Sequence, residues 1–211
     1  MDISTLVTSA FTSSAEQYPE LNRTWIKISF HVGGRLPQSL LSAVIQRDGS
    51  IDLVLRCMED EHARRMAGSQ SQGDANMFAF HYQKILSDYW IGSMYETFRL
   101  LRQRKLADAS PAFSEILVDL ELIRMPLEKH EIAKDRKLDA PLQMTRNPPK
   151  NDATDIYVYD PKNDQRAHIM PSGASKNGSV AWQVIDVTSN TDRWIDRRGL
   201  ADGIIELWKA D

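Results

Sequence analysis

One cysteine, Cys57, stands in the 211 residues, so no disulfide can form within the chain. Long apolar runs are missing as well. No window approaches 18 consecutive apolar residues, so no transmembrane helix is expected. Neither sign of charge is in strong excess. The 26 basic residues stand against 29 acidic ones, a formal net charge of -3, so nothing pulls the chain as a whole toward nucleic acid or an anionic membrane. A polyanion site would have to be a local patch. The phosphate-cradling Gly-rich loop, the paired-cysteine zinc site and the Gly-x-Ser-x-Gly elbow are all absent. His130-Glu131 has Lys134 where a zincin helix needs its second histidine. Met1 to Phe11 carries an acid at position 2, no basic run and no apolar core of signal-peptide length. The expectation is a soluble, cytoplasmic protein without a membrane partner. Cys57 reads as a buried strand residue rather than a reactive thiol.

What remains is an ordinary globular composition, 42% apolar and 26% charged, in a length that suits one domain or one with a small appendage. Residues 1–22 are polar and Ser/Thr-rich and read as an irregular lead-in. From there the period becomes 2. Ile26, Ile28, Phe30 and Val32 alternate with polar residues, Asp48-Gly49 is a hairpin-turn pair, and Ile51, Leu53, Leu55 and Cys57 alternate again. Residues 23–58 therefore predict a β meander, in which the middle segment could instead be a short helix. Residues 59–75 read as a polar linker.

Residues 76–140 form the helical region. Tyr82, Ile85, Leu86, Tyr89, Trp90, Met94, Thr97, Phe98 and Leu101 recur at steps of three and four, with Asp74 as a possible cap. Ser110-Pro111 is a start signal for a second helix carrying Phe113, Ile116, Leu117, Leu120 and Ile123. Its short link to the first predicts antiparallel packing. Pro126 predicts a kink or restart, with a third helical piece over 127–138. Residues 141–211 predict a C-terminal β region with strands at 156–159, 167–170 and 180–187; residues 203–208 are a last strand or a short helix. The predicted class is α+β: a central long helical hairpin with a kinked third helix, flanked by N- and C-terminal antiparallel β regions.

Among chemistry-bearing residues, Glu59, Asp60, Glu61, His62 and His81 are of metal-ligand type. Consecutive side chains diverge, however, and a solvated acidic turn is the better reading. No metal and no cofactor is expected. The segment Arg124-Met125-Pro126-Leu127-Glu128-Lys129-His130 resembles the Arg-x(4–6)-His motif of the HEPN superfamily, and the resemblance covers about residues 76–138. It implies a helical bundle acting as a metal-independent endoribonuclease of the toxin–antitoxin or phage-defence type, often dimeric, with RNA as substrate. It also implies His130 as general acid/base and Arg124 as phosphate clamp. A histidine near neutral pH can move the proton of a ribose 2′-hydroxyl, and an arginine can offset charge on a phosphate. On a straight helix the six-residue offset sets the two about 120° apart, so a break at Pro126 has to bring them together. The ordinary alternative is that Arg124 pairs with Glu128 or Glu121 along the helix surface.

Arg99, Arg102, Arg104 and Lys105 end the long helix. Cations there complement its dipole, and they are also candidates for nucleic-acid binding. Arg193, Arg197 and Arg198 flank Trp194, with acids between them, as in an exposed element or a protein interface. Tyr82, Tyr89, Trp90, Tyr95 and Phe98 read as core, or as a protein interface where exposed. The second functional expectation is thus a non-catalytic protein-binding or assembly protein, using helical and β-edge surfaces to engage a protein partner or form a homodimer.

Overall fold

A computed structural model describes residues 2–68, 74–107, 110–145 and 156–209, with 74–77 as backbone only. The fold is α+β. Five helices come first: α1 (Ile3–Gln17), α2 (Pro19–Gly34), α3 (Leu41–Ala67), α4 (Asp74–Gln103) and α5 (Pro111–Lys129). A 3-10 turn follows at Asp135–Lys137. The strands are β1 (Leu142–Thr145), β2 (Ile156–Tyr159), β3 (Ser172–Ala174), β4 (Val180–Asp186) and β5 (Thr191–Asp196), and α6 (Arg197–Lys209) closes the described chain.

The N-terminal β region is corrected to helix. Residues 1–22 hold α1, capped by Asp2, whose carboxylate accepts from Thr5 N–H at 2.7 Å. Residues 23–58 hold most of α2 and α3. In α2 the buried set is Trp25, Ile28, Ser29 and Val32, at steps of three and four, while Phe30 of the apparent strand faces solvent. The middle of α3 is enclosed by α1, α2, α4 and the C-terminal elements, so Ile51, Asp52, Leu53, Leu55 and Arg56 are all buried. A helix buried on several sides carries no single apolar stripe, and its apolar residues then pass for a strand. Asp48-Gly49 sits inside this helix rather than in a turn. Gly49 is there because the Trp25 ring lies on it: a Cβ would come 2.6 Å from Trp25 Cγ. The predicted linker at 59–75 is α3 as far as Ala67, and its Gly/Ser/Gln part lies largely outside the described residues.

The helical region follows its pattern more closely. Trp90, Met94, Phe98 and Leu101 of α4 are buried against Phe113, Ile116, Leu117, Leu120 and Ile123 of α5. Ser110 caps α5, its hydroxyl accepting from Phe113 N–H at 3.2 Å, with Pro111 at the first helical position. The predicted restart at Pro126 is replaced by one continuous helix to Lys129. Pro126 sits a turn from the end and its own carbonyl accepts the His130 N–H at 3.2 Å. The third helical piece over 127–138 reduces to the 3-10 turn.

The C-terminal strands form two antiparallel sheets. β1 pairs with β2, Leu142 opposite Tyr159, and β4 lies between β3 and β5, Trp182 opposite Ser172 and Ile195. Residues 167–170, expected as a strand, are irregular, and the last expected strand is α6. Leu200, Ala201, Ile204, Ile205 and Trp208 of α6 complete the core, with Trp208 stacked on Phe98.

Candidate functional site

Arg124 projects from the last turns of α5 into an open groove of about 810 Å³ between α4, α5 and the start of α3. Its guanidinium lies 4.8 Å from the centre of the Tyr95 ring, 2.6 Å from Glu128 and 3.4 Å from Glu96. Glu96 in turn holds Arg99 at 2.6 Å. The Arg124 Nε–H is buried without a hydrogen-bond partner. Both carboxylates already offset the Arg124 charge, so a phosphate would have to displace them before it could be clamped.

His130 stands one residue beyond α5, in the left-handed region at φ 57°, with its side chain exposed and its carbonyl accepting from His168 N–H at 2.8 Å. No hydrogen bond, ion pair or ring contact joins Arg124 to His130 among the described residues. Of the basic cluster, Arg99 shares Glu96 with Arg124, and the rest lies elsewhere. Arg102, Arg104 and Lys105 are exposed at the C-terminal end of α4, where Lys105 takes φ 56° and Leu106 N–H returns to the Leu101 carbonyl at 2.9 Å. That end adjoins the start of α5. The 19 residues of α5 therefore set this cluster roughly 28 Å from His130.

Deeper in the groove, Arg47 donates to Ser93 Oγ at 2.7 Å and Ser93 donates to Asp48 Oδ2 at 2.5 Å. Asp48 is fully buried, and burial raises its pKa against the pull of Ser93 and Arg47. Asp88 is also raised by burial, although Lys84 pairs with it at 2.7 Å. The Trp182 indole faces the Asp88 carboxyl without reaching hydrogen-bond geometry, so Asp88 Oδ1 and Trp182 Nε1 both stay unpaired. Glu128, expected as an Arg124 partner, lines the groove, and so do Arg47 of α3 and Ser93 and Glu96 of α4, which do not stand out in the sequence because they are isolated polar residues brought together only by helix packing.

The acidic residues of α3 have another use. Glu59 is wholly buried rather than part of a solvated turn. It takes Arg197 in a two-pronged pair at 2.7 and 2.8 Å and accepts from Ser179 at 2.9 Å. Arg197 also reaches Asp52 at 2.5 Å, and Asp52 accepts from Arg56 and from the Trp25 indole, both at 2.9 Å. Burial opposes both charges, yet the pairing wins. The Asp52 pKa is lowered and that of Arg197 raised. Arg197 is thus a core residue and not part of an exposed arginine–tryptophan element. Asp60 pairs with Arg198 at 2.6 Å and accepts from the Tyr18 hydroxyl, whose pKa is pushed up to about 12 by burial and by that carboxylate. Cys57 is on a helix rather than a strand. It is half-buried, its thiol 3.3 Å from Gln17 Oε1 and its pKa raised by burial.

The outer surface carries a different kind of feature. The aromatic stripe of α4 divides: Trp90, Tyr95 and Phe98 are core, whereas Phe78, Tyr82 (60% exposed) and Ile85 lie on an exposed face that ends at Tyr89 on the groove rim, where the Arg47 guanidinium stands 5.4 Å from the ring centre. α1 has a second such face. Ile3, Leu6, Val7 and Phe11 lie along one side of it, and exposure falls from 75% at Ile3 through 50% at Val7 and 38% at Phe11 to 2% at Ser14. The side of α1 that packs on α3 at its C-terminal end thus runs on uncovered at its N-terminal end. The steps from Ile3 to Phe11 were a legible helical signal, hidden by the Ser/Thr content around them. Compared with protein-family models, curated proteins and solved structures, the chain matches none.

Proposed function

We propose that this chain is a non-catalytic assembly protein that docks a protein partner through the uncovered faces of α1 and α4. One observation carries the reading. Phe78, Tyr82, Ile85 and Tyr89 of α4 are exposed at steps of four, three and four, the spacing of a seam that another helix fills. The opposite side of α4 is already core. Scattered apolar residues on a surface mean little, but a contiguous row of two tyrosines, a phenylalanine and an isoleucine is the composition of an interface. The test is affinity capture with the tagged full chain from its own cells, wild type against Ile85→Glu. A partner retained by the wild type and lost in the variant supports the reading. Equal capture by both overturns it.

We infer a second reading from the C-terminal end of α5. Arg124 lines an open groove there, and His130 presents a free imidazole just past the helix end. An endoribonuclease of the kind the Arg-x5-His motif suggests would use these two groups. Labelled structured RNA, incubated with the full chain and a chelator, tests this. Cleavage that falls at least about 100-fold in His130→Ala supports it. Absent cleavage, or cleavage untouched by the substitution, removes it.

A further inference from the structure

We propose that the partner covering these faces is a second copy of the chain, in a reciprocal exchange that lays α1 of each copy along α4 of the other. This rests on the docking reading above and names its occupant.

Area is the first argument. The exposed apolar side chains on α1 amount to roughly 400 Å², and those on α4 to about the same. Either face alone falls short of a stable interface. Covered together in one symmetric dimer, they bury about 800 Å² per copy, the size at which specific complexes form. Length is the second argument. Ile3 to Phe11 spans about 12 Å of helix and Phe78 to Tyr89 about 17 Å, so one face covers most of the other. Chemistry is the third. α1 carries no charged residue from Ile3 to Ala15, so its face brings no charge to be desolvated against the aromatic row of α4. The competing arrangement, α4 antiparallel on α4, buries only the one row of roughly 400 Å² per copy and leaves α1 uncovered. Symmetry adds a fourth point. A face on α1 and a complementary face on α4 of the same chain close into a twofold pair when exchanged, and use up both surfaces at once.

The full-length chain tests the inference in two steps. Light scattering after size exclusion should give the mass of two chains for the wild type. Val7→Asp and Ile85→Glu should each give the mass of one, with an unchanged far-UV spectrum because both positions are exposed. A Cys57→Ala background then carries Val7→Cys or Ile85→Cys. Mixed under mild oxidation, the two variants should form a disulfide between copies, and Ile85→Cys alone should form little. A monomeric wild type overturns the exchange, as does a homodisulfide of Ile85→Cys equal in yield to the mixed one. A disulfide closing within a single chain that carries both cysteines also overturns it. The two readings separate cleanly. A monomer whose capture of another protein still depends on Ile85 loses the second copy and keeps the docking surface. A chain whose mass and capture both ignore Ile85→Glu loses both.

Discussion

The middle of α3 and the outer sides of α1 and α4 invert the usual partition in opposite directions. α3 buries Asp52, Arg56 and Glu59 in the centre of the molecule. The other two helices expose isoleucine, valine, phenylalanine and tyrosine. The inward anomaly is resolved within the chain, because Arg197, Ser179 and Trp25 satisfy every carboxylate oxygen of Asp52 and Glu59 together with Arg56. The outward anomaly has no resolution within the described residues. A buried charge that finds its partners ties elements together, and here it ties α3 to α6 and to the turn before β4. An apolar face left open asks for something outside the chain.

The inward half breaks first at Arg197. Arg197→Met leaves Glu59 and Asp52 buried with fewer partners, and should cost about 3–5 kcal/mol in urea unfolding. Adding Glu59→Met should recover part of the loss. Position 59 then carries no buried charge, while Asp52 keeps Arg56 and Trp25. If the double variant is no better than the single one, the network is not the tie described.

The next effect is pH-dependent and lies in the C-terminal half. His168 is buried beside Tyr157, whose hydroxyl is 3.0 Å from Nδ1, and burial pushes its pKa down to about 4 from 6.5. The fold favours the neutral ring, so the unfolded chain binds the proton more readily. Stability from this site is full above about pH 6.5 and is lost as pH falls toward about 4, by up to about 3 kcal/mol. Asp48 and Asp88, with raised pKa values, slope the other way in the same range. The difference between wild type and His168→Phe across that window therefore carries the effect. A constant difference would contradict it.

Gly49 gives a smaller effect of the same inward kind. Alanine is the better helix former by about 1 kcal/mol. Its Cβ would nevertheless press on Trp25, and overpacking of about 1–3 kcal/mol outweighs that gain. Gly49→Ala should lower the melting temperature by several degrees.

Legibility in the sequence follows the same division. α4 and α5 could be read because their apolar residues keep to one side, and Ser110-Pro111 marks a start that the hydroxyl of Ser110 fulfils. α2 and α3 pass for strands because α3 is enclosed on several sides and its turn-like Asp48-Gly49 answers to the Trp25 ring, which lies 24 residues away in sequence from Gly49. Arg124 and Glu128 pair as helix spacing allows. The role of Glu96 depends on how two helices align, which no local pattern carries. The partners of Arg197 lie 138 and 145 residues away and could not be read at all.

The outward half is sharpened by the smallest effect on folding. Ile85 and Val7 touch little within their own chain, so Ile85→Glu and Val7→Asp should change monomer stability by no more than about 0.5 kcal/mol, the range of ordinary surface substitutions. Any larger loss must come through association, and it has a signature. A dimer's unfolding midpoint rises with protein concentration, whereas a monomer's does not. The wild-type melting temperature should therefore climb across a hundredfold range of concentration, and both variants should stay flat and meet it at the dilute end. If wild type and variants are equally flat, the apolar rows on α1 and α4 have no partner in this chain, and the contrast with α3 reduces to a difference in exposure alone.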